Sequence, residues 1–207
     1  MAQAAKPALS GGRLVSHKVI DKISKNIEKG AMVDVNAIVV HQTDSPTAQA
    51  TLNGYSRAGA NGAHFLIDKD GTIYQTARVN QKCRHVGTIR SRCFQLNSCS
   101  VSELQNVRSI LYKQAGSYQA RVWKLHRHEM RKPYPDRYPS NEDSLGIELV
   151  SKFSTKTGFE SVTTAQNDSL RWLVSTLVSL LKLSASEVFR HSEVSYKQPT
   201  EATSAVW

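Results

Sequence analysis

The sequence predicts a single α/β domain in which a central mixed β-sheet is flanked by helices. Short apolar runs typical of buried strands alternate along the chain with amphipathic segments typical of helices. The length of 207 residues suits one domain, and a hydrophobic content of 40% is enough to build a core. No apolar run approaches the roughly 20 residues that a membrane-spanning helix requires, so we expect no membrane insertion.

The first half of the chain is expected to contain a tail, two helices and three strands. Residues 1–13 are small and polar and are predicted to form a flexible tail, which leaves residues 14–207 as the domain. Apolar residues at helical spacing predict a helix over residues 17–29, and Pro46 begins a second helix that extends to about Arg57. The predicted strands cover residues 37–40, 63–68 and 72–76, with a hairpin turn at residues 69–71.

The second half of the chain is expected to contain three helices and two strands. Three prolines between residues 133 and 139 predict an irregular segment. The clearest helix covers residues 164–183, because Leu170, Leu173 and Leu177 share one face. The other predicted helices cover residues 101–113 and 118–130, and the predicted strands cover residues 145–150 and 188–190.

The net charge of +10 is concentrated in one segment of the chain. Residues 82–137 hold 12 basic and 3 acidic residues, a net charge of +9, whereas the flanking parts are close to neutral. A strongly basic segment is typical of proteins that bind a polyanion, and a solvated basic surface is the alternative. No helix-turn-helix, zinc-finger or RNA-binding signature accompanies the charge, so the composition alone does not identify nucleic acid as the ligand.

The cysteines leave the redox compartment open. There are three, Cys83, Cys93 and Cys99, so at least one thiol is free. Cys93 and Cys99 could close a short loop in an oxidising compartment, and reduced thiols are the alternative. The first twelve residues contain no apolar stretch typical of a Sec signal peptide. We therefore expect synthesis in the cytoplasm and export, if any, by another route.

Two predicted strands end in a histidine, His41 and His191, and a carboxylate, Glu201, follows the second. Two imidazoles and one carboxylate can bind Zn²⁺ while leaving a fourth position open for catalysis. A third strand carries Glu148 between Ile147 and Leu149, and a carboxylate in a buried strand is costly unless it has a partner or a catalytic role. Structural histidines and an ion-paired core glutamate are the alternatives. A second metal pair, His126 and His128, is disfavoured, because two positions apart on a helix they would not share a face.

These residues belong to five segments that occur in the order of a known family. The sequence resembles the type-2 zinc N-acetylmuramoyl-L-alanine amidases, which include phage lysozyme-type amidases, muropeptide-recycling amidases and peptidoglycan recognition proteins. The segments are residues 38–43 (Ile-Val-Val-His-Gln-Thr), 63–75 (the hairpin beginning Ala-His-Phe-Leu-Ile), 84–87 (Arg-His-Val-Gly, where the family has Trp-His-Ala-Gly), 144–150 (containing Gly-Ile-Glu) and 191–194 (His-Ser-Glu-Val).

The resemblance implies a role for each candidate residue. His41 and His191 would bind zinc, and Glu201, ten residues after His191, stands where recycling-type members have an aspartate ligand. Phage-type members place a cysteine at the position that is Pro199 here. Glu148 would be the general base. The family lysine that stabilises the tetrahedral intermediate would also fall at Pro199, so the candidates for its role are Lys197 and His85.

The resemblance also implies the reaction and its setting. It implies zinc-dependent cleavage of the amide between N-acetylmuramic acid and L-alanine in peptidoglycan, with a basic insertion over residues 88–140. An antibacterial effector, a phage lysin and a recycling enzyme are the candidate settings, and the first two act in the periplasm or cell wall of a target cell. An immunity protein or a secretion-system component is a possible partner, and nucleic acid is not expected. The alternative is a non-catalytic basic protein that binds peptidoglycan or nucleic acid.

Overall fold

The structure, a computed structural model, describes residues 5–207. The strands are β1 (Ala8–Ser10), β2 (Arg13–Val15), β3 (Val19–Asp21), β4 (Glu28–Ala31), β5 (Ala37–Gln42), β6 (Phe65–Ile67), β7 (Ile73–Gln75), β8 (Gln81–Cys83), β9 (Ser144–Leu149), β10 (Phe153–Ser154), β11 (Gly158–Phe159) and β12 (Val188–Arg190). The helices are α1 (Ala48–Tyr55), α2 (Arg92–Gln95), α3 (Val101–Arg108), α4 (Tyr118–Glu129), α5 (Thr164–Leu181) and α6 (His191–Val194). A π-helical turn, Ser109–Lys113, continues α3.

A six-stranded mixed sheet in the order β12-β5-β9-β6-β7-β3 forms the centre of the molecule. The strands β12, β5, β9 and β6 are parallel to one another, β7 is antiparallel to β6, and β3 is parallel to β7. Every residue of β5 is buried, as expected for a strand covered on both faces. The predicted α/β class with a central mixed sheet is confirmed.

Helix α5 covers one face of the sheet. Its residues Leu170, Leu173 and Leu177 are fully buried in a cluster with Ile38 and Ile147 of the sheet. A capping box between Thr163 and Gln166 starts the helix by satisfying free backbone N–H groups. Burial of side chains of this size contributes about 1.5–3 kcal/mol each, which makes α5 the main support of that face. Within residues 5–207, no helix is both long and apolar enough to cross a bilayer.

The basic segment forms a helical layer of its own beside the sheet. Val107 and Leu111 of the α3 region pack against Leu125 of α4 in a small separate cluster. A disulfide joins Cys93 in the first turn of α2 to Cys99, just before α3, whereas Cys83 is a buried free thiol. Both helices predicted in this segment are present. Cys93 and Cys99 form a disulfide here, so the alternative of two reduced thiols is not what the structure has.

The predicted helix over residues 17–29 is wrong. Val19–Asp21 instead pairs with β7 at the sheet edge, and Glu28–Ala31 pairs with β8. Only Ile27 of the apolar residues that suggested the helix is fully buried, and Ile20 is 45% exposed. The open edge of β7 offers hydrogen bonds to any extended segment nearby, and this tertiary pairing outweighs a weak helical spacing.

The prediction of a flexible tail over residues 1–13 also needs correction. Ala8–Ser10 and Arg13–Val15 form the hairpin β1–β2. Leu14 is buried, its N–H donates to Oε1 of Gln75 at 2.8 Å, and the Gly12 carbonyl accepts from Val79 at 2.9 Å. The hairpin is therefore attached to the sheet by contacts with residues about 60 positions away, which no local pattern reveals. Residues 1–4 of the predicted tail lie outside the described part.

Candidate metal centre and catalytic cleft

Strand order brings the candidate residues to one end of the sheet. The parallel strands β5 and β9 place His41 directly beside Glu148 in register. On the other side of β5, β12 pairs Arg190 with Val40, so His191, the first residue of α6, follows at the same edge. In parallel sheets, ligands bind where the carboxyl ends of adjacent strands meet. The topology thus explains why three separate motifs form one site.

His41, His191 and Glu201 form a buried group whose ligand atoms lie within 4.8 Å of one another, an arrangement that could hold a metal ion. The Oε1 atom of Glu201 is 2.8 Å from Nδ1 of His191 and 3.6 Å from Nδ1 of His41. The centroids of the two imidazole rings are 4.1 Å apart. All three predicted ligands are therefore together, with one nitrogen or oxygen of each facing a common point.

The far nitrogen of His41 is held by a chain of hydrogen bonds. Nε2 of His85 lies 3.1 Å from the Ser144 carbonyl, which can only accept, so this nitrogen carries the proton. A neutral His85 then accepts at Nδ1, which is 3.0 Å from Nε2 of His41. His41 must donate from Nε2, and its Nδ1 presents a lone pair to the common point.

His191 is oriented in the same way by a single bond. Its Nε2 lies 2.9 Å from the Val86 carbonyl and donates to it, so Nδ1 presents a lone pair towards Glu201. A lone pair and a carboxylate oxygen only 2.8 Å apart require a positive charge, either a proton or a metal ion. Metal-binding histidines commonly donate their other nitrogen to a carbonyl, as both ligands do in this site, directly or through His85. The donor set therefore fits a metal ion of the zinc type.

The electrostatics of the three residues favour a cation. Burial lowers the pKa of His41 to about 4, and the neighbouring His191 adds to this effect, so His41 is neutral and free to bind metal at neutral pH. Burial opposes ionisation of Glu201, but hydrogen bonds and charge from His191 and His41 outweigh it and lower the pKa to about 2. The ionised Glu201 therefore supplies a negative charge at the point that the two imidazoles share.

Gln42 holds the loop that carries Glu201, and sequence analysis did not single out this role. Its Oε1 accepts from the Ala202 N–H at 2.7 Å, and its Nε2 donates to Oγ of Ser151 and to the Glu160 carbonyl. Ala202 has a φ of 59°, a conformation that is costly for a residue with a side chain. The glutamine amide therefore stabilises a strained turn immediately after the third ligand.

Glu148 projects into the cleft next to the ligand group. Its Oε2 is buried and has no hydrogen-bond partner among the described residues. Burial and the charge of Glu201 raise the pKa of Glu148 to about 8, while Lys197 acts in the opposite direction. A carboxylate with a free oxygen and a pKa near the working range is suited to take up and release a proton.

The segment that carries His85 is attached to the loop before β9. Oδ1 of Asn141 accepts from the backbone N–H groups of both His85 and Val86 at 2.8 Å. Gly146 of β9 lies directly beneath the His85 ring, because a Cβ there would be 2.9 Å from its Cγ and Nδ1. Neither contact has a local sequence signal, since the partners are more than fifty positions apart. The structure thus places His85 behind His41, and both of its nitrogens are occupied.

A cleft of about 720 Å³ contains all six of the residues that sequence analysis selected. Its walls also include residues that sequence analysis did not select as site residues: Tyr55 from α1, Arg84, Trp123 and His126 from α4, and Asn141. Lys197 is exposed at the cleft and influences the pKa of both His41 and Glu148, so its ammonium lies near the reacting centre.

A second group of possible ligands, Glu103, His128 and Glu129, lies in the helical layer. The ammonium of Lys132 is 2.5 Å from Glu103 and 2.7 Å from Glu129, so a lysine already supplies the positive charge. His126 is not part of this group, because its Nδ1 accepts from the Ile89 N–H. The group is a buried ion-pair network that joins α3 to α4.

Comparison with known proteins gives one family and a set of related folds. The family model described as N-acetylmuramoyl-L-alanine amidase matches residues 31–203. No curated protein sequence matches the chain. The crystal structure of a selenomethionine AmpD derivative aligns over 96% of this chain and 94% of its own, with a TM-score of 0.54 and 17% identity.

Two further solved structures are similar. PlyL aligns over 86% of this chain and 84% of its own, with a TM-score of 0.52 and 13% identity. The endolysin N-acetylmuramoyl-L-alanine amidase LysCS from Clostridium intestinale URNW aligns over 89% of this chain and 86% of its own, with a TM-score of 0.48 and 18% identity. At these identities the likeness concerns the fold.

Proposed function

Because the chain belongs to the N-acetylmuramoyl-L-alanine amidase family, we propose that it uses zinc to hydrolyse the amide between N-acetylmuramic acid and L-alanine in peptidoglycan. Family membership, which the five motifs predicted, is confirmed by the match. One observation carries the proposed activity: lone pairs of His41, His191 and Glu201 converge at a cleft where Glu148 keeps an unpartnered carboxylate oxygen.

The residues that would hold the zinc ion are His41, His191 and Glu201. When bound, zinc lowers the pKa of a coordinated water and polarises the scissile carbonyl. The hydrogen bonds from His41 to His85 and from His191 to Val86 fix the ring orientations, which raises metal affinity. Gln42 contributes by holding the backbone just beyond Glu201.

Glu148 is the proposed general base. It accepts the proton of the attacking water and passes it to the nitrogen of the departing alanine. We assign stabilisation of the tetrahedral oxyanion to Lys197, whose ammonium is exposed at the cleft and close enough to influence Glu148. We assign to His85 a positioning role, because its two nitrogens are engaged by His41 and Ser144.

We further propose that the protein acts on the wall of a target cell, as an antibacterial effector or a phage lysin. The disulfide between Cys93 and Cys99 supports a working compartment that is oxidising. An effector requires an immunity protein in the producing cell, whereas a lysin does not. A gene for a small periplasmic inhibitor next to the gene for this chain would identify the effector.

The activity is tested by incubating the purified protein with peptidoglycan sacculi and analysing the soluble products by mass spectrometry. We expect free stem peptides that begin with L-alanine, loss of this release when a chelator removes the metal, and recovery when zinc is added. If the protein binds one equivalent of zinc and releases no such peptides, the amidase proposal fails and a binding function replaces it.

The third ligand is tested with Glu201→Ala. We expect zinc binding to be weakened by more than about 100-fold, because a ligand itself is lost and the loss of a residue that only orients a ligand already costs about 10–100-fold. Asp136 is exposed, has no ion pair in the described structure and lies outside the cleft lining, so Asp136→Ala is the control and should bind zinc normally. Unchanged zinc content in Glu201→Ala would rule out this ligand.

A further inference from the structure

Arg84 lies in the cleft wall and has no part in the proposed mechanism. It is exposed, lines the cleft and stands where the family motif has a tryptophan. An aromatic side chain is still present in the wall, because Trp123 of α4 also lines the cleft and is 46% exposed. The basic helical layer thus supplies the aromatic group, and position 84 supplies a positive charge.

The backbone that carries Arg84 is held firmly with respect to the metal ligands. The next residue, His85, contacts His41 at 3.0 Å, and its backbone N–H is bound by Asn141. Ile89 donates to His126, whose ring is 5.5 Å from that of Trp123. Both cleft-facing side chains are therefore positioned by hydrogen-bonded segments, one of which is adjacent to the reacting centre.

The guanidinium of Arg84 is available to a ligand. Lys82, two residues earlier, is paired with Glu142, whereas Arg84 forms no ion pair or side-chain hydrogen bond with any residue between 5 and 207. Guanidinium groups recognise carboxylates through two parallel hydrogen bonds, and a partly enclosed cleft strengthens such a bond. An unpaired arginine in the wall of the cleft that contains Glu148 and the converging ligands therefore points to an anionic group on the substrate.

We propose that Arg84 recognises a free carboxylate on the second residue of the stem peptide. This inference rests on the proposed amidase function and specifies its substrate class. The second residue follows the alanine whose amide is cut by one Cα–Cα step of about 4 Å. Arg84 lines the same cleft as Glu148, so the cleft that holds the scissile amide also presents the guanidinium to the residues next to it. Stem peptides with glutamate at this position carry the carboxylate, and those amidated to isoglutamine lack it.

The experiment compares N-acetylmuramoyl-L-alanyl-γ-D-glutamyl-L-lysine amide with its isoglutaminyl counterpart. The γ-carboxyl of the second residue forms the next peptide bond in both, so the two substrates differ only in the free α-carboxylate. For the zinc-loaded protein we expect a kcat/KM about tenfold higher for the acid, as one charge-assisted bond gives. In Arg84→Gln the ratio should fall to near one. Trp123→Ala should raise the KM of both substrates and keep their ratio, since its contact is apolar.

Arg108→Gln is the matched control, because Arg108 is exposed, has no ion pair in the described structure and lies outside the cleft lining. It should keep the tenfold ratio. Equal cleavage of both substrates by the unmodified protein, or a ratio that persists in Arg84→Gln, overturns the role of Arg84 and leaves the amidase function standing. If neither substrate is cleaved while sacculi are, recognition requires more than the second residue and the role is also rejected. Failure on all substrates overturns the proposed function itself.

Discussion

At the scale of single residues, the orientation of the two candidate histidine ligands depends on hydrogen-bond acceptors that lie behind their rings. His41 and His191 each present Nδ1 inward because their Nε2–H groups donate hydrogen bonds, His41 to Nδ1 of His85 and His191 to the Val86 carbonyl. These bonds select one tautomer in advance, so binding a metal requires no rearrangement of protons on the rings. The motif His-Val-Gly at 85–87 matters for this reason, since it supplies both His85 and the Val86 carbonyl.

The substitution Glu148→Gln distinguishes the role of a general base from the role of a metal ligand. Glutamine keeps the size of the side chain but cannot accept a proton from water, so kcat should fall by about 10²–10⁴. Zinc content should be unchanged, because Glu148 is not one of the converging ligands. The rate is measured on sacculi and the metal by atomic absorption. Full activity of the variant would exclude Glu148 as the base.

The same substitution has a pH-dependent effect on stability in the metal-free protein. The pKa of Glu148 is raised to about 8 in the folded state, mainly by burial, so folding is penalised as the pH rises from the unfolded value of about 4.5 towards 8. Glutamine removes this penalty. The gain in Tm of Glu148→Gln should therefore be small near pH 5 and largest at pH 8 or above. A gain independent of pH would show that ionisation of the buried carboxyl is not its cause.

At the scale of elements, the strands of the site were predictable and the edges of the sheet were not. The strands β5, β9 and β12 are short apolar runs that end in polar residues, and burial on both faces imposes that pattern. The hairpin β1–β2 and strand β3 lie at the periphery, where pairing with residues such as Ile73 decides the structure. Gln42 and Asn141 were missed for a related reason, since their partners are distant in sequence.

Gly146 of β9 provides a test at this scale. A methyl group at this position would lie 2.9 Å from the His85 ring and 3.0 Å from Cβ of Ala63, so Gly146→Ala should displace His85. His41 then loses the acceptor for its Nε2 proton, and zinc affinity should fall about 10–100-fold while the circular dichroism spectrum is retained. The affinity is measured by competition with a chelating dye.

Gly54→Ala in α1 is the control for this substitution. Apart from its chain neighbours and the backbone of its own helix, nothing lies within 4 Å of a Cβ built at Gly54, and alanine is favoured in a helix, so folding should be slightly stabilised and zinc binding unchanged. If Gly146→Ala binds zinc as tightly as Gly54→Ala, the chain of bonds through His85 does not support the metal centre.

At the scale of the whole molecule, most of the basic residues of the segment 82–137 lie outside the lining of the cleft, which includes Arg84 alone of its lysines and arginines. Within residues 82–137, Lys82, Arg92, Lys132 and Arg137 form ion pairs, and the other eight basic residues have none in the described structure. Four of these eight form a row at helical spacing along α4 and just beyond it: Arg121, Lys124, Arg127 and Arg131. Composition located this charge, but only the packing of α4 shows that its row adjoins Trp123 at the cleft.

The row of basic residues along α4 should strengthen binding of the protein to an anionic cell wall. Peptidoglycan stem peptides carry carboxylates, and three exposed ion pairs of about 0.5 kcal/mol each amount to about tenfold in affinity at low salt. The triple variant Lys124→Gln, Arg127→Gln, Arg131→Gln should therefore bind sacculi about tenfold more weakly and with less dependence on salt. Zinc content and the cleavage of a small soluble muramyl dipeptide should be unchanged.

The matched control, Lys6→Gln, Lys22→Gln, Lys25→Gln, removes the same charge from exposed positions elsewhere and should bind sacculi normally. Equal weakening by both triple variants would show that net charge, and not the row on α4, attracts the wall.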